Sequence, residues 1–158
     1  MKKARIKTPL GVAEICGDEN GISSITILED SNILSTKIPE ELSTCADQLN
    51  DYFEGKLTDF NLPLNPKGTP FQKSVWQALT EIPFGKTMSY QELSIKLGDI
   101  KAIRAVASAN GKNPLWVVIP CHRVIGSDGS LTGYAGGLWR KKWLLEHEQP
   151  STQIRLFE

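Results

Sequence analysis

The chain has 158 residues, 40% of them hydrophobic and 23% charged, with 18 basic side chains balanced by 18 acidic ones. That length can bury one core or two small ones, and no apolar run approaches the roughly 18 residues of a membrane-spanning helix. Three cysteines argue against a disulfide framework and leave at least one thiol free, and the opening MKKARIKTPLG lacks the apolar stretch of a signal peptide, so a cytoplasmic protein is expected.

In chain order, ARIKT, GVAEIC and ISSITIL read as short strands parted by the turn sequences PLG and GDENG. PEELSTCADQLNDYFEG reads as a helix, with Pro39 in its first turn, Gly55 at its end, and Leu42, Ala46, Leu49 and Phe53 at helical spacing. Cys45 shares that stripe and Cys16 ends a strand, so both read as small core residues. DFNLPL adds an extended segment, and NLPLNPKGTP is linker-like. The charge changes sign across it: residues 1–65 carry 6 basic and 11 acidic side chains, residues 66–158 carry 12 and 7. A basic half beside an acidic one suggests that the second half faces a polyanion.

The second half opens on TPFQ, a capping box with Thr69 as N-cap, Pro70 in the first position and Gln72 reaching back. Phe71, Val75, Ala78, Leu79 and Ile82 predict the buried stripe of a helix. SYQE is a second capping box, Ser89 with Glu92, opening a short helix to Leu97. Gly98 and Asp99 turn the chain into a third helix, KAIRAVASAN, which gives a helix-turn-helix. Ile103, Val106 and Ala107 are expected to point inward. Lys101, Arg104, Ala105, Ser108 and Lys112 are expected outward, a face of small residues and positive charge. Such a face approaches a nucleic-acid backbone closely and meets its phosphates. It lacks the Asn and Gln side chains that read base edges, so contact with little sequence readout is expected.

NPLWVVIPCHRV then delivers Cys121, His122 and Arg123 in succession, before a loop with Gly126, Gly129, Gly133, Gly136 and Gly137. A thiol with an ordinary pKa of about 8.5 is only a small fraction thiolate at neutral pH. His122 is the obvious base. Neighbours in extended chain point to opposite sides, which favours a bridging water over direct contact. A third group should orient the imidazole, and Glu146 and Glu148 both lie within reach in LLEHE.

IPCHRV, set between NPLWVV and GYAGGLWRKKWLLEHE, closely resembles the O6-alkylguanine-DNA alkyltransferases, the methylated-DNA–protein-cysteine methyltransferases. The resemblance runs over residues 68–149 without a gap and includes SYQEL and RAVASANGKNP. Residues 1–65 are similar only in size and in their β-then-α order. It implies an α+β protein. A small N-terminal sheet-and-helix domain of ribonuclease H-like type (1–65) would precede a mainly helical C-terminal domain (66–158) with a winged-helix-like helix-turn-helix.

The resemblance also implies a single-turnover reaction on double-stranded DNA carrying O6-alkylguanine. The base is rotated into a pocket and its alkyl group is displaced in line onto Cys121. Carried over by position, Glu148, His122 and a water deprotonate Cys121, and Asn113 braces its turn. Arg104 fills the gap left by the flipped nucleotide. Tyr90 crowds the adjacent phosphate and donates to guanine N3. The carbonyls of Cys121 and Val124 take the exocyclic amine, the backbone N–H of Ala135 donates to O6, and Tyr134 walls the pocket. A monomer is implied, with no cofactor and no obligate protein partner.

Two departures stand out. Some relatives bind zinc in the N-terminal domain, but residues 1–65 hold two cysteines and no histidine, too few for a tetrahedral site, so no structural metal is expected. Trp116 stands where some relatives have proline or a small residue; it either narrows the alkyl pocket or packs in the core. Among competing readings, a lesion-recognition protein of the same architecture would lack Cys121. A helix-turn-helix regulator leaves PCHR unexplained, and a thiol hydrolase leaves the basic helix face unexplained.

Overall fold

Three strands, β1 (Lys2–Thr8), β2 (Gly11–Asp18) and β3 (Gly21–Leu28), form an antiparallel meander in the order β1-β2-β3. The computed structural model describes residues 1–149 apart from Asp30, Thr132, Gly133 and Ala135. Both hairpins close over two residues, with Thr8 opposite Gly11 and Asp18 opposite Gly21. Gly21 has φ 129°, and a Cβ there would lie 2.7 Å from the Pro63 carbonyl oxygen, so only glycine fits this approach. Helix α1 (Glu40–Phe53) covers the sheet with Leu42, Cys45, Ala46, Leu49 and Tyr52. Tyr52 takes the core position that spacing gave to Phe53.

By its contacts the chain divides into two units. The first is Met1–Lys67 with Pro114–Val118; the second is Gly68–Asn113 with the chain from Ile119. Within the first unit the free edge of β3 is covered by two short parallel pieces. Ile22 donates to Pro63 and accepts from Asn65, both at 2.8 Å, while Ile25 donates to Pro114 at 2.9 Å and accepts from Trp116 at 3.2 Å. Covering the edge satisfies backbone groups that would otherwise template aggregation.

The second unit starts with α2 (Pro70–Thr80), where the Thr69–Gln72 capping box is present. Its buried face is Val75, Trp76, Ala78 and Leu79, and the Trp76 indole N–H donates to the Ala109 carbonyl at 2.9 Å. Phe71, expected inside, is exposed. A two-residue strand β4 (Met88–Ser89) leads into α3 (Tyr90–Lys96), capped by the Ser89–Glu92 box. After Gly98 (φ 94°) a 3-10 turn, Ile100–Ala102, opens α4 (Ile103–Gly111). This is the expected helix-turn-helix, but its inner face differs. Val106, Ala109 and Asn110 are buried, whereas Ile103 and Ala107 are exposed. The 3-10 turn advances about 120° per residue rather than 100°, so a helical pattern counted from Lys101 enters α4 out of phase. A second 3-10 turn, Cys121–Arg123, precedes β5 (Val124–Ile125), which pairs in parallel with β4, and α5 (Leu138–His147) follows. The α+β class is as expected. Among the described residues no helix is long and apolar enough to cross a membrane.

Candidate active site

Backbone geometry places the thiol. Pro120 (φ −82°, ψ 64°) is the centre of an inverse γ-turn, in which the Cys121 N–H donates to the Ile119 carbonyl at 2.8 Å. The proline ring presets the φ this turn needs. Three residues earlier the Val118 N–H donates to the Trp116 carbonyl at 2.9 Å around Val117, whose φ is 71°. This tight turn with positive φ is rare and strained for a β-branched residue. Asn113 closes the base of the excursion, its amide N–H donating to the Ile119 carbonyl at 2.6 Å. The same side chain hydrogen-bonds the Cys121 sulfur, which favours the thiolate.

The residues that follow the thiol, His122 and Arg123, form a buried ionic cluster with Glu148, the C-cap of α5. His122 is 0% exposed and its Nε2 is 2.8 Å from Glu148 Oε2. Arg123 clamps the same carboxylate in bidentate fashion, Nε to Oε1 at 2.7 Å and Nη2 to Oε2 at 2.9 Å, and its Nη1 donates to the Ile82 carbonyl at 2.6 Å. The arginine fork matches a carboxylate in shape, which allows the cluster to be buried. The alternative carboxylate, Glu146, is exposed and faces Lys142 at 3.9 Å. His122 Nδ1 has no hydrogen-bond partner among the described residues. Gly85 lets the chain pass close by: a Cβ there would sit 3.0 Å from the Glu148 carbonyl.

Burial pushes the Cys121 thiol up, opposed by the Asn113 hydrogen bond and the Lys141 charge. Burial also holds His122 below its ordinary value, against the pull of Glu148. The resting pair is therefore neutral thiol and neutral imidazole. Burial alone would raise Glu148, but hydrogen bonds from His122 and Arg123 outweigh it and hold the carboxyl at about 2.

The His122 and Glu148 shifts make the folded state bind fewer protons than the unfolded chain. For His122 the folded form loses stability as pH falls below the unfolded value of 6.5. The Glu148 contribution is complete above 4.5 and is lost as pH falls towards about 2. Urea unfolding from about pH 7.5 to 5.5 is thus expected to show stability falling by up to about 1.4 kcal/mol per pH unit. His122→Gln, which does not titrate, should flatten that window; an equally steep profile in the variant would contradict a buried neutral His122.

The other expected site residues fall as follows. Lys101, Arg104, Ala105, Ser108 and Lys112 are all exposed, from the turn before α4 to its C-cap. Tyr90 begins α3, half-buried, and Val124 is fully buried in β5. The Val124 N–H donates to the Cys121 carbonyl, leaving that oxygen one lone pair. Tyr134 is half-buried in the loop before α5, where the Gly137 N–H donates to its carbonyl at 2.9 Å and Arg140 donates to the Gly136 carbonyl at 2.7 Å. The expected Ala135 donor, and Gly133, lie outside the described residues. Trp116 belongs to the first unit, buried with its ring 5.9 Å from that of Phe53. Among the described residues no three His, Cys, Asp or Glu side chains gather as a metal site.

Among the buried polar residues that the sequence did not signal are Arg123, Arg140, Lys141 and Asn110. Lys141 is 0% exposed, with its ammonium 5.9 Å from the centre of the Tyr90 ring and its charge felt by Cys121. Lys141, Leu144 and Glu148 are spaced by three and four, one face of α5.

Comparison with known proteins bears on both units. Residues 1–66 match the ribonuclease-like domain of 6-O-methylguanine DNA methyltransferase, and residues 70–150 match its DNA binding domain. A methylated-DNA–protein-cysteine methyltransferase of Methanosarcina barkeri is 46% identical over 151 residues, covering 91% of this chain and 94% of the relative. The crystal structure of Mycobacterium tuberculosis O6-methylguanine methyltransferase superposes with a TM-score of 0.83 at 42% identity, over 99% of this chain and 98% of the other. A crystal structure of Mycobacterium tuberculosis OGT in complex with DNA gives 0.83 at 44% identity, over 98% of each chain.

Proposed function

The chain belongs to the O6-methylguanine DNA methyltransferase family, and from that premise we propose how its residues divide the work. The protein repairs DNA directly, moving an alkyl group from guanine O6 to one of its own cysteines. We assign that cysteine as Cys121. The observation that carries the assignment is its place beside the buried His122–Glu148 pair, on a turn fixed by Pro120. Cys16 and Cys45 are also free and buried, and burial raises Cys45 to about 12, so it offers no thiolate.

His122 takes the Cys121 proton through a bridging water at Nδ1, and Glu148 at Nε2 stabilises the imidazolium. The sulfur forms its bond to the alkyl carbon as the carbon–O6 bond breaks, and the released electron pair goes to the purine. The Tyr90 hydroxyl delivers a proton to N3, so guanine leaves neutral. The Asn113 hydrogen bond and the buried Lys141 cation stabilise the thiolate before transfer. The thioether is a poor leaving group, which ends the protein's activity after one turnover.

The exposed row from Lys101 to Lys112 faces the DNA backbone, with Arg104 entering the space of the rotated nucleotide. Val124, Tyr134 and the Ala135 backbone hold the base. The proposed division, 1–65 supporting and 66–158 binding DNA and carrying the thiol, is supported by the family matches over 1–66 and 70–150. The protein acts as a monomer in the compartment that holds DNA, the cytoplasm, and needs no cofactor because the thiol is the acceptor.

Incubation with duplex carrying O6-methylguanine is expected to add one methyl group to the intact mass, located by peptide mapping on Cys121. A methyl on Cys16 or Cys45, or repair with no mass change, would refute the assignment.

A further inference from the structure

We propose that Asn110 is a positioning residue for the transfer: its amide N–H holds the Tyr90 phenol oxygen so that the phenol proton faces the purine. The inference rests on the reading of Tyr90 as proton donor to guanine.

Asn110 lies in the last turn of α4 and is 2% exposed. Its Nδ2 lies 3.5 Å from Tyr90 Oη, and its Oδ1 is buried with no hydrogen-bond partner among the described residues. A residue needed only for packing would be apolar here, because a buried amide with an unmet acceptor is costly. Its neighbours on the inner face of α4, Val106 and Ala109, are apolar. The direction of the bond matters. A phenol oxygen that accepts from an amide N–H keeps its own proton for another acceptor. Without that donor the hydroxyl is free to rotate away from the base. The 3.5 Å separation is long, as catalytic contacts often are before substrate tightens them.

The charged surroundings fit. Lys141 of α5 brings its ammonium to 5.9 Å from the Tyr90 ring centre, a position that favours negative charge developing on the phenol as its proton leaves. Glu92, on α3 itself, is engaged in the Ser89 capping box, and Lys96 pairs with Glu81 at 3.7 Å. On α4 and the turn before it, Lys101 and Arg104 are exposed. The Asn110 amide therefore meets the phenol oxygen from α4 and Lys141 approaches the ring from α5.

The test compares single-turnover transfer from duplex carrying O6-methylguanine with transfer from O6-methyl-3-deazaguanine, which has carbon in place of N3 and cannot take the proton. Asn110→Leu should slow the first substrate about tenfold, a part of what a general acid contributes, and leave the second at the wild-type rate. Its DNA affinity, measured in a Cys121→Ser background, should be unchanged. Combined with Tyr90→Phe, it should add no further loss. If the leucine variant does not fold, Asn110→Asp keeps the shape, replaces the donor by an acceptor, and should show the same selectivity. Equal slowing on both substrates, multiplying effects with Tyr90→Phe, or no slowing at all would overturn the inference alone. Tyr90→Phe reacting at the wild-type rate would overturn the proton-donor reading and the inference with it.

Discussion

Cys121→Ser is expected to hold alkylated DNA as firmly as the wild type and to repair none of it. The side chain is buried at the turn, 7% exposed, and serine fits the same space with little change in packing. On the proposed reading, affinity comes from the exposed cations of the helix-turn-helix and from the base pocket, and the substitution removes neither. The chemistry fails because a hydroxyl is a far weaker nucleophile at its ordinary pKa than a thiol. On the proposed relay His122 must take the proton although burial disfavours its charged form, and a hydroxyl gives up its proton far less readily than a thiol. A loss on the order of 10⁶-fold, below detection, is the scale on which removal of a nucleophile acts. Gel-shift affinity and intact mass measured side by side test both halves. Residual methylation of the variant would sink the choice of nucleophile, and a parallel loss of binding would assign the thiol a structural role instead.

Glu148→Gln should damage both the reaction and the fold. The carboxylate receives two hydrogen bonds from Arg123 and one from His122, all in the interior. Glutamine offers one oxygen and turns an N–H₂ group toward these donors. It leaves a buried guanidinium without its counter-charge, an error costing about 3–5 kcal/mol. On the proposed relay, the imidazolium formed as Cys121 ionises would lose its stabilising neighbour. The transfer rate near neutral pH should therefore fall and recover in part at higher pH, where the thiol ionises without help. Glu146→Gln supplies the comparison: its pairing with Lys142 is exposed and worth at most about 0.5 kcal/mol. Denaturant midpoints and rate against pH for both variants decide the matter. A shifted profile in Glu146→Gln with none in Glu148→Gln would move the relay to the wrong side of α5 and refute it.

What the sequence made legible is local chemistry. Both capping boxes are seen in the side chains that predicted them, because such caps depend on four adjacent residues. The α1 stripe is correct but for Phe53, displaced by its neighbour Tyr52. The inner face of α4 was misplaced because the 3-10 turn Ile100–Ala102 changes the angular count before the helix begins. The polar interior was the least legible. Arg123, Lys141 and Asn110 carry side chains that composition assigns to the surface, and burial of such groups depends on partners distant in sequence. Glu148 lies 25 residues from Arg123, and Ile82 lies 41. The PCHR run drew attention to its nucleophile and base, while its arginine went unread.

Pro114–Val118 belongs with the first unit although the residues on either side of it belong to the second. A gene divided at residue 67 would therefore encode two incomplete products. The N-terminal fragment would lack the Leu115 bridge and leave the Ile25 amide and carbonyl without their partners. The C-terminal fragment would carry Leu115, Trp116, Val117 and Val118, all buried in the intact chain, with no core to receive them. That hydrophobic run ends three residues before Cys121, so the fragment holding the thiol would inherit a sticky surface beside it. Anyone shortening this protein for fusion or display would do better to keep both units and trim elsewhere.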